Sequence, residues 1–387
     1  RRQIRHKIVA GARGARHLSL SVRLADSLEL DRATKLAEPL ALASGSRAVI
    51  AERQAGLVVY QFELSERYWQ SYTRADLSDM RAVGLGEKRA PILFDLDPPH
   101  ALVAGTTGAG KSETIKSAVV SLAQTHTPAD LNFVLIDPHS EYTELDNLAH
   151  LAMPRATGPD GIANAFGWAA GQLKDRKAKK LKDGAKLVIA VDEAAADEVL
   201  ASESNLAVIR SVASEGRKFG IHAIVGTQKP SHKKLPDILD KLNNKWVGRV
   251  DDATMSAKAT GQAGLEAHKL TGKGDFLHVN GPVVKRLQVA MATRSDFEAL
   301  PRAEVKPVEV GPVEILEPDS SEDRAVGRPS VELNARDLAV FLLHGLLGGD
   351  GASRYGVSRT SHAIHADFYR QTLVELARLI LEEYGEQ

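Results

Sequence analysis

The chain has 387 residues, long enough for two or three domains and a large core. Lysine plus arginine and aspartate plus glutamate stand at 50 each, and this zero balance excludes a wholly basic nucleic-acid coat while leaving room for a local basic face. Without cysteine there is no disulfide and no thiolate metal site, and no apolar run approaches the length of a membrane span.

No signal peptide is visible, so the expected location is cytoplasmic, without membrane contact. The chain opens at Arg1 rather than methionine, which suggests a shortened form and leaves open a membrane anchor upstream. Residues 1–16 are basic, with no acid before Asp26; a stretch just inside a membrane and a solvated terminus both fit. Residues 17–88 predict a small α+β domain. Leu36, Leu40 and Leu42 have helical spacing in RATKLAEPLALASG, and RAVIAERQAGLVVYQFEL reads as a hairpin turning at Gln54-Ala55-Gly56.

Across 89–303 short apolar strands alternate with helices. LNFVLIDP, KLVIAVDE, IHAIVGTQ, WVGRV and DFLHV are the strands; IANAFGWAAGQLKDRK is a helix with Ile162, Phe166, Ala169 and Leu173 on one face. This order predicts an α/β domain whose sheet is largely parallel and covered on both sides. Residues 304–330, rich in Pro, Glu and Ser, read as a linker. Residues 331–387 predict a small helical C-terminal module. Its acids outnumber its arginines, which disfavours a DNA reader and favours packing or a protein partner.

The chemistry starts at Ala101–Thr114, ALVAGTTGAGKSET: a strand, a glycine-rich turn and a helix start. The spacing is that of a P-loop, formed by Gly105, Thr106, Thr107, Gly108, Ala109, Gly110, Lys111, Ser112 and Glu113. Such a loop converges backbone N–H groups on a phosphate at a helix N-terminus; Lys111 adds charge and Ser112 a ligand for Mg²⁺. ATP and Mg²⁺ are thus the expected cofactors. The apolar strand KLVIAV ends in Asp192-Glu193: Asp192 to hold the metal through water, Glu193 to polarise an attacking water. A further strand ends at Thr227-Gln228, where Gln228 could sense the γ-phosphate. Arg217 closes the preceding helix, as a finger toward a neighbouring subunit or as a solvated helix cap.

Together these motifs resemble the FtsK/HerA family of ring-forming DNA translocases. LVAGTTGAGKS looks like the FtsK P-loop, VLIDPHSEY like a strand-two motif closer to HerA, AVDEAAA like the Walker B segment, GRKFGIH and GTQKPS like the finger and sensor segments, and LTGKGDFL like the late GxGD hairpin. The likeness covers roughly 90–299, and more weakly 17–77. It implies a RecA-like P-loop ATPase forming a homo-hexameric ring around double-stranded DNA, with Arg217 acting in trans and Gln228 as sensor. Arg249 becomes a second candidate for a trans or DNA contact. Thr227, Lys229, Lys233, Lys234, Lys241 and Lys258 become candidate pore contacts, enriched by Lys245, because lysines grip phosphates without reading sequence. Departures are Lys229 and His139, where FtsK has Arg and Lys. With a tail unlike a sequence-reading winged helix, a plasmid, integrative element or phage is as open an origin as a chromosome. Two further readings stand beside this one: a protein-export ATPase of the same superfamily, and a HerA-like ring that scaffolds a nuclease or other effector.

Overall fold

The computed structural model describes residues 6–54, 56–181, 184–194, 200, 202–230, 236–306 and 308. The chain divides into two units, Arg1–Gln70 with Ala325–Gln387, and Ser71–Arg324. The expected helical module 331–387 lies outside the described residues, as does all of the expected linker 304–330 except 304–306 and 308.

The described part of the first unit runs β1 (His6–Arg13), β2 (His17–Leu24), α1 (Leu30–Thr34), α2 (Ala37–Ser44), β3 (Val49–Gln54) and β4 (Leu57–Glu63). The strands form an antiparallel sheet in the order β1-β2-β4-β3. Alternation puts Leu20, Val22, Val58, Tyr60 and Phe62 on one face, where they pack with Ala33, Leu36 and Ala37. The Tyr60 hydroxyl donates to the Ala33 carbonyl at 2.6 Å, which ties helix to sheet. The β3–β4 hairpin is as the sequence predicts, with Gly56 at φ 82° in the turn. Three expectations change. Residues 1–16 are not a separate basic segment, because β1 pairs with β2 and is an integral strand. The boundary falls after Gln70 rather than at 88/89, because 71–88 hydrogen-bond into the second sheet. Leu42, grouped by spacing with Leu36 and Leu40, is 66% exposed.

The second unit continues with β5 (Tyr72–Thr73), β6 (Ala82–Leu85), β7 (Pro91–Leu93), β8 (His100–Ala104), α3 (Lys111–Thr125), β9 (Leu131–Ile136) and α4 (Gly158–Ala178). It proceeds through β10 (Lys186–Val191), α5 (Glu203–Glu215), β11 (Ile221–Thr227), α6 (Pro236–Leu239) and β12 (Asn244–Val247). It closes with α7 (Ala253–Thr260), β13 (Asp275–Asn280), β14 (Val283–Met291) and α8 (Arg294–Glu298). One sheet holds them in the order β7-β6-β14-β13-β12-β8-β11-β10-β9, with β5 beside β14. The run from β9 to β12 is parallel and holds the P-loop strand β8 between β11 and β12; beyond β12 the sheet continues antiparallel through β13, β14, β6 and β7.

The parallel strands are buried on both faces, which is why they read as continuous apolar runs. Ile162, Phe166, Ala169 and Leu173 of α4 are buried as their spacing requires. Trp246 of β12 sits between Phe94 and His278, with ring centroids 5.4 and 4.1 Å away. The Trp246 indole N–H donates to Asn244 Oδ1 at 2.8 Å, so the largest core side chain also has its polar atom satisfied. Register places the carboxyl ends of all five parallel strands along one edge: Ala104 opposite Thr227 and Val247, Val191 opposite Ile136 and Val225. Ligands of open α/β sheets bind on such an edge, where the connections diverge to opposite faces.

Candidate active site

The loop Gly105–Gly110 leaves β8 at that edge and enters α3. Gly108 and Gly110 take φ of 76° and 104°, a region closed to most side chains, which explains why glycine stands at both. At Gly110 a methyl group would also lie 2.7 Å from the Gly274 nitrogen. The loop is pinned from two sides. Gly105 N–H donates to the Thr227 carbonyl at 3.2 Å, and Thr106 N–H to the Arg249 carbonyl at 2.8 Å. From the other side Lys273 N–H donates to Gly108 O at 2.9 Å and Gly274 N–H to Ala109 O at 2.7 Å. The LTGKGD turn is therefore a backrest for the P-loop. Asp275 holds that turn, accepting from Thr271 N–H at 2.9 Å and from Arg286 at 2.9 and 2.7 Å.

Lys111, Ser112 and Glu113 open α3, whose first-turn N–H groups and dipole favour an anion. The Lys111 ammonium is bonded to the Asp192 carboxylate and lies 3.6 Å from Glu193 Oε2. All three side chains are buried, at 7%, 1% and 4% exposure, so the pair of acids offsets the cation where water cannot. A phosphate would compete for that ammonium. Glu193 has a left-handed backbone, φ 57°, that turns its carboxylate toward the end of β11. There it accepts from Gln228 N–H at 2.9 Å and from the Thr227 hydroxyl at 3.4 Å. The Gln228 side chain is held as well, because Thr107 Oγ1 donates to its Oε1 at 2.9 Å. The P-loop, the Asp192–Glu193 pair and the end of β11 thus meet in one polar cluster.

Ser112 and Asp192 supply hydroxyl and carboxylate oxygens, hard donors of the kind Mg²⁺ takes with phosphate and water. Among the described residues no cluster of three His, Asp or Glu could hold a metal alone, so this donor set fits a cation that arrives with a nucleotide. Beside the loop a groove of about 520 Å³ is lined by Thr106, Thr107, Gln228, Lys229, Arg249 and His268, among others.

Arg249 follows β12 and lines the groove beside its own P-loop. Arg217 lies elsewhere. It precedes β11 whereas Gln228 follows it, so the seven residues of that strand, roughly 23 Å of chain, separate the two. The Arg217 side chain is 69% exposed and 3.7 Å from Asp97, an exposed pair of little energetic weight. Thr227, expected as a pore contact, is fully buried and serves Glu193 instead. Lys245 is also withdrawn, buried on β12, where desolvation lowers its pKa. Lys229, Lys241 and Lys258 are exposed; Lys229 is at the P-loop edge, while Lys241 bonds Ser214 in the last turn of α5. Lys233 and Lys234 lie outside the described residues. Sequence reasoning missed two contributors, the Lys273–Gly274 backbone clamp and the Thr227 hydroxyl. The glycines of LTGKGD were the available signal for the first.

Residues 63–245 match the model of the FtsK/SpoIIIE family. The DNA translocase FtsK of Leptospira interrogans is 34% identical over 207 residues, covering 46% of this chain and 21% of that protein. The DNA translocase FtsK of Rickettsia prowazekii is 28% identical over 285 residues, covering 56% of this chain and 37% of that one. The chain therefore spans only about a fifth to a third of these relatives. Among solved structures, EssC (ATPases 2 and 3) from Geobacillus thermodenitrificans superposes with a TM-score of 0.52 at 18% identity, over 62% of this chain and 53% of that one, a likeness of fold.

Proposed function

The chain carries an FtsK-like motor domain, and we propose that this domain is an ATP-driven translocase of double-stranded DNA that works as a hexameric ring. The observation that carries the ring is the position of Arg217. A finger must touch the phosphates, yet Arg217 is at the far end of β11 from its own P-loop, exposed and weakly held. It fits a site completed by a neighbouring subunit, where such an arginine contributes orders of magnitude in rate.

Within the site, the P-loop amides and Lys111 bind the phosphates, and Ser112 and Asp192 would hold Mg²⁺. The metal, when bound, neutralises charge on the transferring phosphoryl group. Glu193 polarises the attacking water. The Gln228 N–H and Thr227 hydroxyl orient its carboxylate. Gln228, joined to both Thr107 and Glu193, reports the γ-phosphate to the residues that follow it in the chain. Those residues include Lys229, Lys233 and Lys234, our choice for the DNA grip. Uniform phosphate contacts suit a motor that must pass any sequence.

The test is the ATPase rate with and without long double-stranded DNA at moderate salt, beside Glu193→Ala. Stimulation that disappears in the variant, together with a ring in mass photometry, is the expected result. A vigorous ATPase indifferent to DNA would overturn the translocase reading and turn attention to polypeptide export or effector scaffolding.

A further inference from the structure

The basic end of α4 takes no part in the nucleotide site, yet it meets the segment that carries Arg217. Gly216–Phe219 is one tight helical turn between α5 and β11. Its start is fixed by packing, since a methyl group on Gly216 would lie 2.6 Å from the Ile221 carbonyl oxygen. Its exit is tied to the sheet, where Leu187 N–H of β10 donates to the Gly220 carbonyl at 2.8 Å. Within the turn, Gly220 N–H closes on the Gly216 and Arg217 carbonyls. The last carbonyls of a helical turn have no partner inside it. Arg176 of α4 supplies one: its Nη1 donates to the Phe219 carbonyl at 2.9 Å. The side chain is half-buried, and desolvation lowers its pKa, but a guanidinium keeps its charge. The bond is therefore charge-assisted and partly shielded from water. Lys177, next in α4, approaches Glu215 Oε2 to 2.5 Å, but both side chains meet solvent and such a pair contributes little.

Arg217 projects from the middle of this turn. Its pair with Asp97 is exposed and weak, so the aim of its guanidinium depends on where the backbone sets it. We propose that Arg176 is a positioning residue for Arg217: by holding the Phe219 carbonyl it fixes the turn, and the turn presents Arg217 to the nucleotide site of a neighbouring subunit. The role rests on the reading of Arg217 as a finger.

Arg176→Met keeps the aliphatic stem and removes the donor. In the full chain, ATPase with long double-stranded DNA should fall about ten- to a hundredfold, as when a catalytic group is misplaced by about an ångström. Binding of a fluorescent ATP analogue, which needs the variant's own P-loop, should stay at the wild-type level. Mixed before assembly with Lys111→Ala, which brings an intact turn, Arg176→Met should recover ATPase beyond the two separate rates added together. Mixed with Arg217→Ala, which has the same defect, it should not. Recovery with neither partner marks a residue that the whole fold needs, and overturns the role. So does recovery with Arg217→Ala, or a turnover loss matched by lost analogue binding. The underlying reading is tested apart: a fully active Arg217→Ala overturns the finger and the Arg176 role with it. An inactive Arg217→Ala beside a fully active Arg176→Met overturns the Arg176 role alone.

Discussion

Glu193 occupies a conformation that a glutamate adopts only when its surroundings compensate, and the compensation is visible: an amide and a hydroxyl from the end of β11 grip its carboxylate. Thr227→Val should therefore slow ATP turnover about two- to tenfold, the worth of one hydrogen bond, with little change in KM. Steady-state kinetics measures both, and an unchanged kcat would show that the Gln228 amide suffices. This arrangement also shows where sequence reading stops at the residue scale. Asp192 and Glu193 were legible because an acid pair ends an apolar strand. Thr227 was assigned to DNA because its position in the chain is the end of a motif. Which way its hydroxyl points depends on the neighbouring strand, which no local pattern encodes.

At the scale of elements, the P-loop is held by a turn far downstream in the chain, through the Lys273 N–H on the Gly108 carbonyl. The turn takes left-handed backbone at Gly272, Lys273 and Gly274, and the buried Asp275–Arg286 pair keeps it in shape. Breaking such a pair leaves one charge uncompensated. Arg286→Met should destabilise the motor domain by about 3 kcal/mol and weaken nucleotide binding with it. Thermal unfolding with and without an ATP analogue would measure both effects. Stability lost with affinity intact would mean that the clamp does not shape the loop. Strand and helix identities here were readable from periodicity and burial runs. The antiparallel flank of the sheet was not, because β14 pairs with β6 far earlier in the chain, Gln288 opposite Leu85.

For the whole molecule, the placement of Arg217 away from its own P-loop makes the assembly itself testable. Lys111→Ala lacks a working P-loop but keeps its arginine; Arg217→Ala has the reverse defect. Each alone should be inactive by about a hundredfold or more. Mixed before assembly, they should regain a measurable fraction of wild-type ATPase, because some interfaces combine an intact P-loop with an intact finger. No recovery on mixing would place Arg217 outside the shared site.

The sequence alone determined the local parts: the P-loop, the acid pair, the parallel strands and the sensor end of β11. Each is written in neighbouring residues, as spacing or as an apolar run. Tertiary structure alone decided that β1 belongs to a sheet and that the first unit ends at Gln70. It also buried Thr227 and Lys245 and set Arg249 beside its own P-loop. These outcomes depend on which strands become neighbours. Sheet pairing is settled by burial and hydrogen bonding summed over the whole chain, and that sum has no signature at any one position.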